Sequence, residues 1–372
     1  MVGKGNGSSG ARYFPEPGLR TLAEAVFQKI GCTPADAAQA ADVLLLADLR
    51  GIDSHGVARL PGYVRLWEAG RIAARPEIRV VQQTASTAGI DAGGALGLVA
   101  APRAMDMAIQ KAQEAGSSVV TVSHSNHYGI AAYHAMRALP HQMIGWSMTN
   151  ASPLVVPTGG RERMLGTNPM CWAFPAGRFP AVVVDLATSA AANGKLEMAE
   201  RLGNPIPEGW AVDGEGAVST RPEILRTGGS LLPLGSVANR AGHKGYALGS
   251  VVDLLSGVLS GAGFGPWVPP FVSFLPMPTD PPGEGIGHIF GAIRVDAFRP
   301  ADRYFEAIDR WIERFRNSVP QIPGVPVRIP GDPERLAQQE RALTGIPLTP
   351  AVARNLEELA NRWSLPWPDE AR

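Results

Sequence analysis

Cysteine is almost missing: Cys32 and Cys171 are the only two in 372 residues. A chain this long can bury a large core without covalent staples, so free thiols in a reducing compartment are expected rather than a disulfide framework. Neither sign of charge prevails, with 34 Lys and Arg against 34 Asp and Glu. That balance lacks the basic surplus of a nucleic-acid or anionic-membrane surface. No run of 18 uninterrupted apolar residues occurs, and Met1 to Gly10 is Gly/Ser-rich without the apolar core of a signal peptide. No membrane partner and no nucleic-acid partner are therefore expected; the expected place is cytoplasmic and the expected partner a small molecule.

The familiar nucleotide and metal signatures are missing too. The one GxGxxG pattern, Gly5, Gly7 and Gly10, follows no strand and opens no evident helix, which is the context it requires. Gly194-Lys195 lacks the leading glycine and the Ser/Thr of a phosphate-binding loop. Without HExxH or CxxC, no metal site is expected.

What is present is helical and strand periodicity in alternation. Thr33 reads as an N-cap with Pro34 in the first turn of a helix that stops at Gly51. A helix from about Ala100 to Ala115 leads into the β-branched strand Ser117 to Ser123. A helix from about Ile130 to Leu139 and strands at Met143 to Thr149 and Ala181 to Leu186 come next. Gly194 to Gly235 is rich in Gly and Pro and reads as an extended surface excursion. Then come a long apolar helix, Gly245 to Leu259, a Pro-rich connection, a charged amphipathic helix at Ala301 to Arg316 and two short closing helices.

Four segments concentrate chemistry. RGIDSHGVARL, Arg50 to Leu60, packs two arginines, an aspartate, a serine and a histidine around two glycines. An arginine fork binds a carboxylate through parallel hydrogen bonds, and Ser or His can polarise or protonate a neighbouring oxygen; a solvated helix C-terminus explains the same residues. SHSNHYG, Ser123 to Gly129, sets His124 and His127 at a strand end, as an acid/base pair, as one structural and one functional histidine or, least favoured for want of a third ligand, as metal ligands. VVVDLATS, Val182 to Ser189, empties a strand into a carboxylate that could hold a ribose or cap a helix. GHKGYALG, Gly242 to Gly249, puts Lys244 at a helix start, where cation and backbone N–H groups attract phosphate, though a solvated surface lysine explains it equally well. His134 and His141 read as surface or capping residues.

In order along the chain, RGIDSHGVARL, SNHYG, the stretch from TNASPLVVPTGG to LGTNP, VDLATS, IPEGWAVD, GHKGYALGSVVDLLSGVLSG and PGDPE resemble the type 2 malate/L-lactate dehydrogenase family, from about Thr21 to Ala360. The resemblance implies an NAD(P)-dependent oxidoreductase, NAD or NADP being the cofactor, that interconverts a small 2-oxo acid and its 2-hydroxy acid. Reduction of cyclic imino acids such as piperideine-2-carboxylate, or an N-methyl amino acid dehydrogenase activity, is the alternative within the same family. It also implies an α+β, non-Rossmann fold, with the cofactor on a mixed, mostly antiparallel sheet and a helical domain formed from both chain ends, in a homodimer. The domains expected on that basis are a flexible lead at 1–12, a helical domain at 13–85 and 300–372, and an NAD(P)-binding sheet domain at 86–299.

Position by position, the resemblance puts the catalytic serine and histidines on Ser54, His55 and His127 and the carboxylate-binding arginine on Arg59. It puts cofactor contacts on Asp185, Leu186, Ala187, His243, Lys244, Gly331 and Asp332. Asp332 stands where relatives usually carry Glu, and Asn193 and Ala247 also depart from the pattern. His127 is the expected proton donor, His55 the alternative.

Overall fold

A computed structural model describes residues 10–371; Gly5 and Gly7 of the glycine pattern, and most of the expected lead, lie outside them. The chain divides into two compact units, one running up to Pro76 and resuming at Gly331, the other spanning Glu77–Pro330. These bounds differ from the expected 85/86 and 299/300. The strand from 79 to 83 pairs with its neighbour in the sheet, and the amphipathic helix from 301 to 316 packs Ile312 against Val182 and Ile329.

In chain order the first unit holds β1 (Arg12–Phe14), α1 (Glu16–Lys29), α2 (Pro34–Leu49) and α3 (Leu60–Glu68). The second holds β2 (Arg79–Gln83), β3 (Thr87–Asp91), α4 (Gly97–Ala115), β4 (Ser117–Ser125), α5 (Ala131–Met136), β5 (Met143–Thr149), β6 (Met170–Phe174) and β7 (Val182–Leu186). It continues with α6 (Asn193–Arg201), β8 (Ala211–Val212), β9 (Val218–Ser219), β10 (Ser230–Leu231), α7 (Gly242–Asp253), β11 (Ile286–Arg294) and α8 (Ala301–Arg316). Back in the first unit, α9 (Asp332–Thr344), β12 (Ile346–Leu348) and α10 (Pro350–Arg362) close the chain, β12 pairing antiparallel with β1.

Helix α2 starts where its cap chemistry dictates: the Thr33 hydroxyl accepts the Asp36 N–H at 3.1 Å and Pro34 takes the first position, where no N–H is needed. Its alanines and leucines are buried along most of its length, and so is one charged residue, Asp48.

The second unit is built on a seven-stranded sheet in the order β2-β3-β4-β11-β5-β6-β7. Only β3–β4 is parallel, the mixed, mostly antiparallel arrangement that the family resemblance implies. β11 lies at its centre and is buried along seven consecutive residues, as a strand covered on both faces must be. Where β4 meets β11, Ser125 pairs with Ile286 but Val122 with His288, so β4 carries one extra residue. His124, inside this bulge, has a left-handed backbone with φ of 52°. Such a bulge bends a strand end and re-aims the chain beyond it, here the residues leading to His127.

The stretch from 194 to 235 is not a surface excursion. It contains α6 and the small sheet β10-β8-β9, packed over Leu154, Leu165, Leu196, Ile206 and Leu231. Strands of two residues are too short to write a period-two pattern into the sequence. The expected helix 245–259 begins at Gly242 and, after Asp253, widens into a π-turn at Leu254–Val258. Among the described residues no helix is long and apolar enough to cross a membrane. Neither Cys32 nor Cys171 is in a disulfide, and both are buried.

Candidate active site

In the first unit, Ser54, His55 and Arg59 share one tight turn between α2 and α3. Two short 3-10 turns, Asp53–His55 and Val57–Arg59, carry them. The Ser54 hydroxyl lies 2.8 Å from His55 Nδ1, and the Arg59 guanidinium donates back to the Ser54 carbonyl. Burial, together with the nearby Arg59 charge, pushes His55 down to about 3. The ring is therefore neutral throughout the ordinary working range, a hydrogen-bonding group rather than a charged acid. The same arginine charge helps to push Arg65 below its ordinary value, after burial. Arg59 thus sets a positive potential in the turn, which a substrate carboxylate would neutralise.

Beneath the turn lies Asp48, 1% exposed. Its carboxylate accepts the Val57 N–H at 2.8 Å, and burial holds the carboxyl well above the usual carboxylate range. A Cβ on Gly56 would sit 1.8 Å from Asp48 Oδ1, so only glycine fits between Ser54-His55 and Arg59. Arg341 from α9 donates to the Asp48 carbonyl and to both Asp53 oxygens, fastening the turn from the far end of the chain. Gly331 and Asp332 begin that helix. Gly331 has φ of 94°, and the buried Asp332 carboxylate pairs with Arg335 at 2.9 Å.

In the second unit, His127 comes directly after the β4 bulge. The Asn126 amide donates to the carbonyls of Gly94 and Ala95 at 3.1 and 3.0 Å. A Cβ at Gly97, the first residue of α4, would approach the Asn126 and His127 carbonyls to 2.1 and 2.6 Å, so the loop rests on bare backbone. The His127 ring lies 4.7 Å from that of Phe271, whose own N–H donates to Ser152 Oγ at 2.8 Å. His127 Nδ1 accepts the Gly129 N–H at 3.4 Å, a long and correspondingly weak hydrogen bond.

Asp185 is exposed at the end of β7 with Leu186 and Ala187 half-buried beside it. It does cap a helix, but not the next one along the chain: its Oδ2 accepts the N–H of Ala132 in α5 at 3.0 Å. His243 and Lys244 are exposed at the start of α7. That helix start lies close to the β7 end, because a Cβ on Gly245 would be 2.2 Å from the Leu234 carbonyl and Leu234 N–H donates to Thr188 O at 2.9 Å. A cation at a helix start beside a carboxylate at a strand end is a donor set that fits a dinucleotide, phosphate on the first and a hydroxyl or amide on the second.

Several site features escaped the sequence reading. Asp48 left one trace, a lone acid in an apolar helical run, as did His288, a lone imidazole in the buried strand IGHIFGA. Phe271 left none. His134, expected at the surface, is fully buried: burial pushes it down to about 3, and its Nε2 lies 2.9 Å from the Tyr128 carbonyl. His124 Nδ1 lies 3.1 Å from an Asp91 carboxylate oxygen and 3.2 Å from a Glu284 carboxylate oxygen. Among the described residues no group of three His, Cys, Asp or Glu is placed to hold a metal ion.

Comparison with known proteins gives a consistent picture. The profile of the family described as malate/L-lactate dehydrogenase matches residues 14–357. A malate dehydrogenase of Pyrococcus horikoshii is 41% identical over 349 residues, 94% of each chain. A malate/(S)-sulfolactate dehydrogenase of Methanothermus fervidus is 36% identical over 347 residues, 93% of this chain and 96% of that protein. The solved structure of malate dehydrogenase from Pyrococcus horikoshii OT3 superposes with a TM-score of 0.88 at 36% identity, covering 99% of this chain and 100% of that one.

Proposed function

Because this chain belongs to the malate/L-lactate dehydrogenase family and is an enzyme that interconverts 2-hydroxy and 2-oxo acids with a nicotinamide cofactor, we propose that Arg59 binds the substrate carboxylate and His127 moves the proton. When bound, the cofactor, NAD or NADP, supplies or accepts the hydride. Asp185, Leu186, Ala187, His243, Lys244, Gly331 and Asp332 would hold it. In reduction, His127 gives its proton to the oxygen that gains negative charge; in oxidation it takes the hydroxyl proton. Ser54 and neutral His55 orient that oxygen by hydrogen bonding.

The observation that carries the reading is the turn that sets an arginine beside a serine–histidine pair: Ser54 Oγ lies 2.8 Å from His55 Nδ1, and Arg59 donates to the Ser54 carbonyl. Malate and sulfolactate, the compounds in the names of the relatives, are 2-hydroxy acids with a second anionic group, and an oxaloacetate-like dianion is the proposed substrate here. Pyruvate, oxaloacetate, sulfopyruvate and piperideine-2-carboxylate, each assayed with NADH and NADPH, form the test. Fastest turnover on a dianionic 2-oxo acid is expected; exclusive turnover of the cyclic imine would reverse the assignment. Arg59→Ala should raise KM about a hundredfold, the scale of a lost charge-assisted bond pair. An unchanged KM would remove Arg59 from the carboxylate site.

A homodimer in the cytoplasm completes the proposal. Its support in the fold is the outer face of α7 and the π-turn, where Val251, Leu254, Val258 and Leu259 stand 46 to 61% exposed, an apolar stripe of the kind that marks an interface. Leu254→Glu with Val258→Glu should convert a dimer to monomers in sedimentation; wild type sedimenting as a monomer would dismiss it.

A further inference from the structure

Behind the His127 loop, three fully buried rings are stacked. Tyr128 lies between His134 and His288, with centroids 4.5 Å apart at 29° on one side and 4.8 Å apart at 8° on the other. His288 also bridges two hydroxyls: its Nε2 is 2.8 Å from Ser125 Oγ and its Nδ1 2.7 Å from Thr149 Oγ1. The residue two before His127 and the residue just after it are therefore both gripped by one imidazole on the central strand β11. Burial, and secondarily His134, pushes His288 down to about 3, so the ring is neutral, with one donor and one acceptor that two hydroxyls can complement. Packing alone gives no reason for a histidine here. A phenylalanine would stack on Tyr128 as Phe290 packs two residues on, without bringing polar atoms into the core.

We infer that His288 is a positioning residue for His127, fixing the loop Ser125 to Gly129 through the Ser125 hydroxyl and the Tyr128 ring so that the His127 imidazole is held where it exchanges its proton. The inference rests on the reading of His127 as the acid/base residue. The β4 bulge aims the loop, Gly97 seats it from below, and His288 removes its remaining freedom.

His288→Phe keeps the stack and deletes the hydrogen bonds that the imidazole makes, those with Ser125 and Thr149 among them. Thr149 Oγ1 retains the Asn150 and Gly287 carbonyls at 2.9 and 3.0 Å, so the variant should fold. Its kcat is expected to fall about tenfold, the cost of a sub-ångström misplacement of a catalytic group, with KM for the 2-oxo acid changed less than about twofold. His288→Gln, which returns an amide toward Ser125, should recover part of the loss. In a His127→Ala background, His288→Phe should produce no further fall in kcat, because the group it positions is gone. In the protein alone, the 15N resonances of the His127 ring should shift in His288→Phe and return toward wild type in His288→Gln. Equal losses with and without His127, or unmoved His127 resonances, would overturn the inference while leaving the role of His127 intact. Full turnover in His127→Ala alone would instead sink the acid/base reading, and this inference with it. If His288→Phe fails to fold, Ser125→Ala carries the same test, with the same expected non-additivity.

Discussion

Alanine in place of His127 should lower kcat for 2-oxo acid reduction by about 10² to 10⁴, the range for loss of a positioned general acid, and leave KM nearly unchanged. The residue is not among the groups that we assign to carboxylate binding, and its loop is held by backbone seats at Gly94, Ala95 and Gly97 that the substitution leaves alone. Reduction consumes a proton, so its kcat should fall as pH rises through the titration of the donor; oxidation should show the mirror-image rise. His55 supplies the control. With its ring pushed down to about 3, it carries no charge between about pH 5 and 9 and cannot produce a limb in that range. His55→Asn should therefore lower turnover without moving the midpoint of the kcat–pH profile, whereas His127→Ala should abolish the limb. A profile that loses its limb in His55→Asn and keeps it in His127→Ala would exchange the two roles.

Which features were legible in the sequence depends on how far each signal reaches along the chain. Strands such as Met143–Thr149 and helices such as Ala301–Arg316 carry their periodicity within one element, and local pattern suffices to find them. The turn holding Ser54, His55 and Arg59 was legible as a charge-dense segment, because residues that need partners are poor core material. Its neighbours were not. Asp48 matters because its carboxylate lies under Gly56, and Arg341 because α9 returns to Asp53 from nearly three hundred residues away. Such pairings exist only once the chain is folded. The same holds for His288: within IGHIFGA it is an anomaly, and its meaning appears only when β11 is set between β4 and β5. The stretch from 194 to 235 failed for a different reason, since two-residue strands stabilised by a shared cluster leave almost no local trace.

Gly56→Ala should be among the most damaging single substitutions outside the reacting groups. The added methyl would occupy the position of the Asp48 carboxylate, with Oδ1, Cγ and Oδ2 at 1.8, 2.1 and 2.3 Å. No small adjustment relieves such an overlap. Either the turn lifts off α2, or Asp48 rotates away and leaves the Val57 N–H without its acceptor in the core. Overpacking costs about 1–3 kcal/mol and an orphaned buried donor about 1–3 kcal/mol, so a loss of about 3 kcal/mol is expected in urea unfolding. Activity should fall more steeply than the folded fraction, because the displaced segment carries Ser54, His55 and Arg59 together. Asp48→Ala in the same chain distinguishes the cause: removing the carboxylate makes room for the methyl and should return part of the stability, though not the Val57 hydrogen bond. The two substitutions should therefore be strongly non-additive, the double variant being more stable than the sum of the singles. Additive losses would mean that the glycine is needed for something other than the aspartate beneath it, and the close approach of α2 to the catalytic turn would lose its place in the explanation of this site.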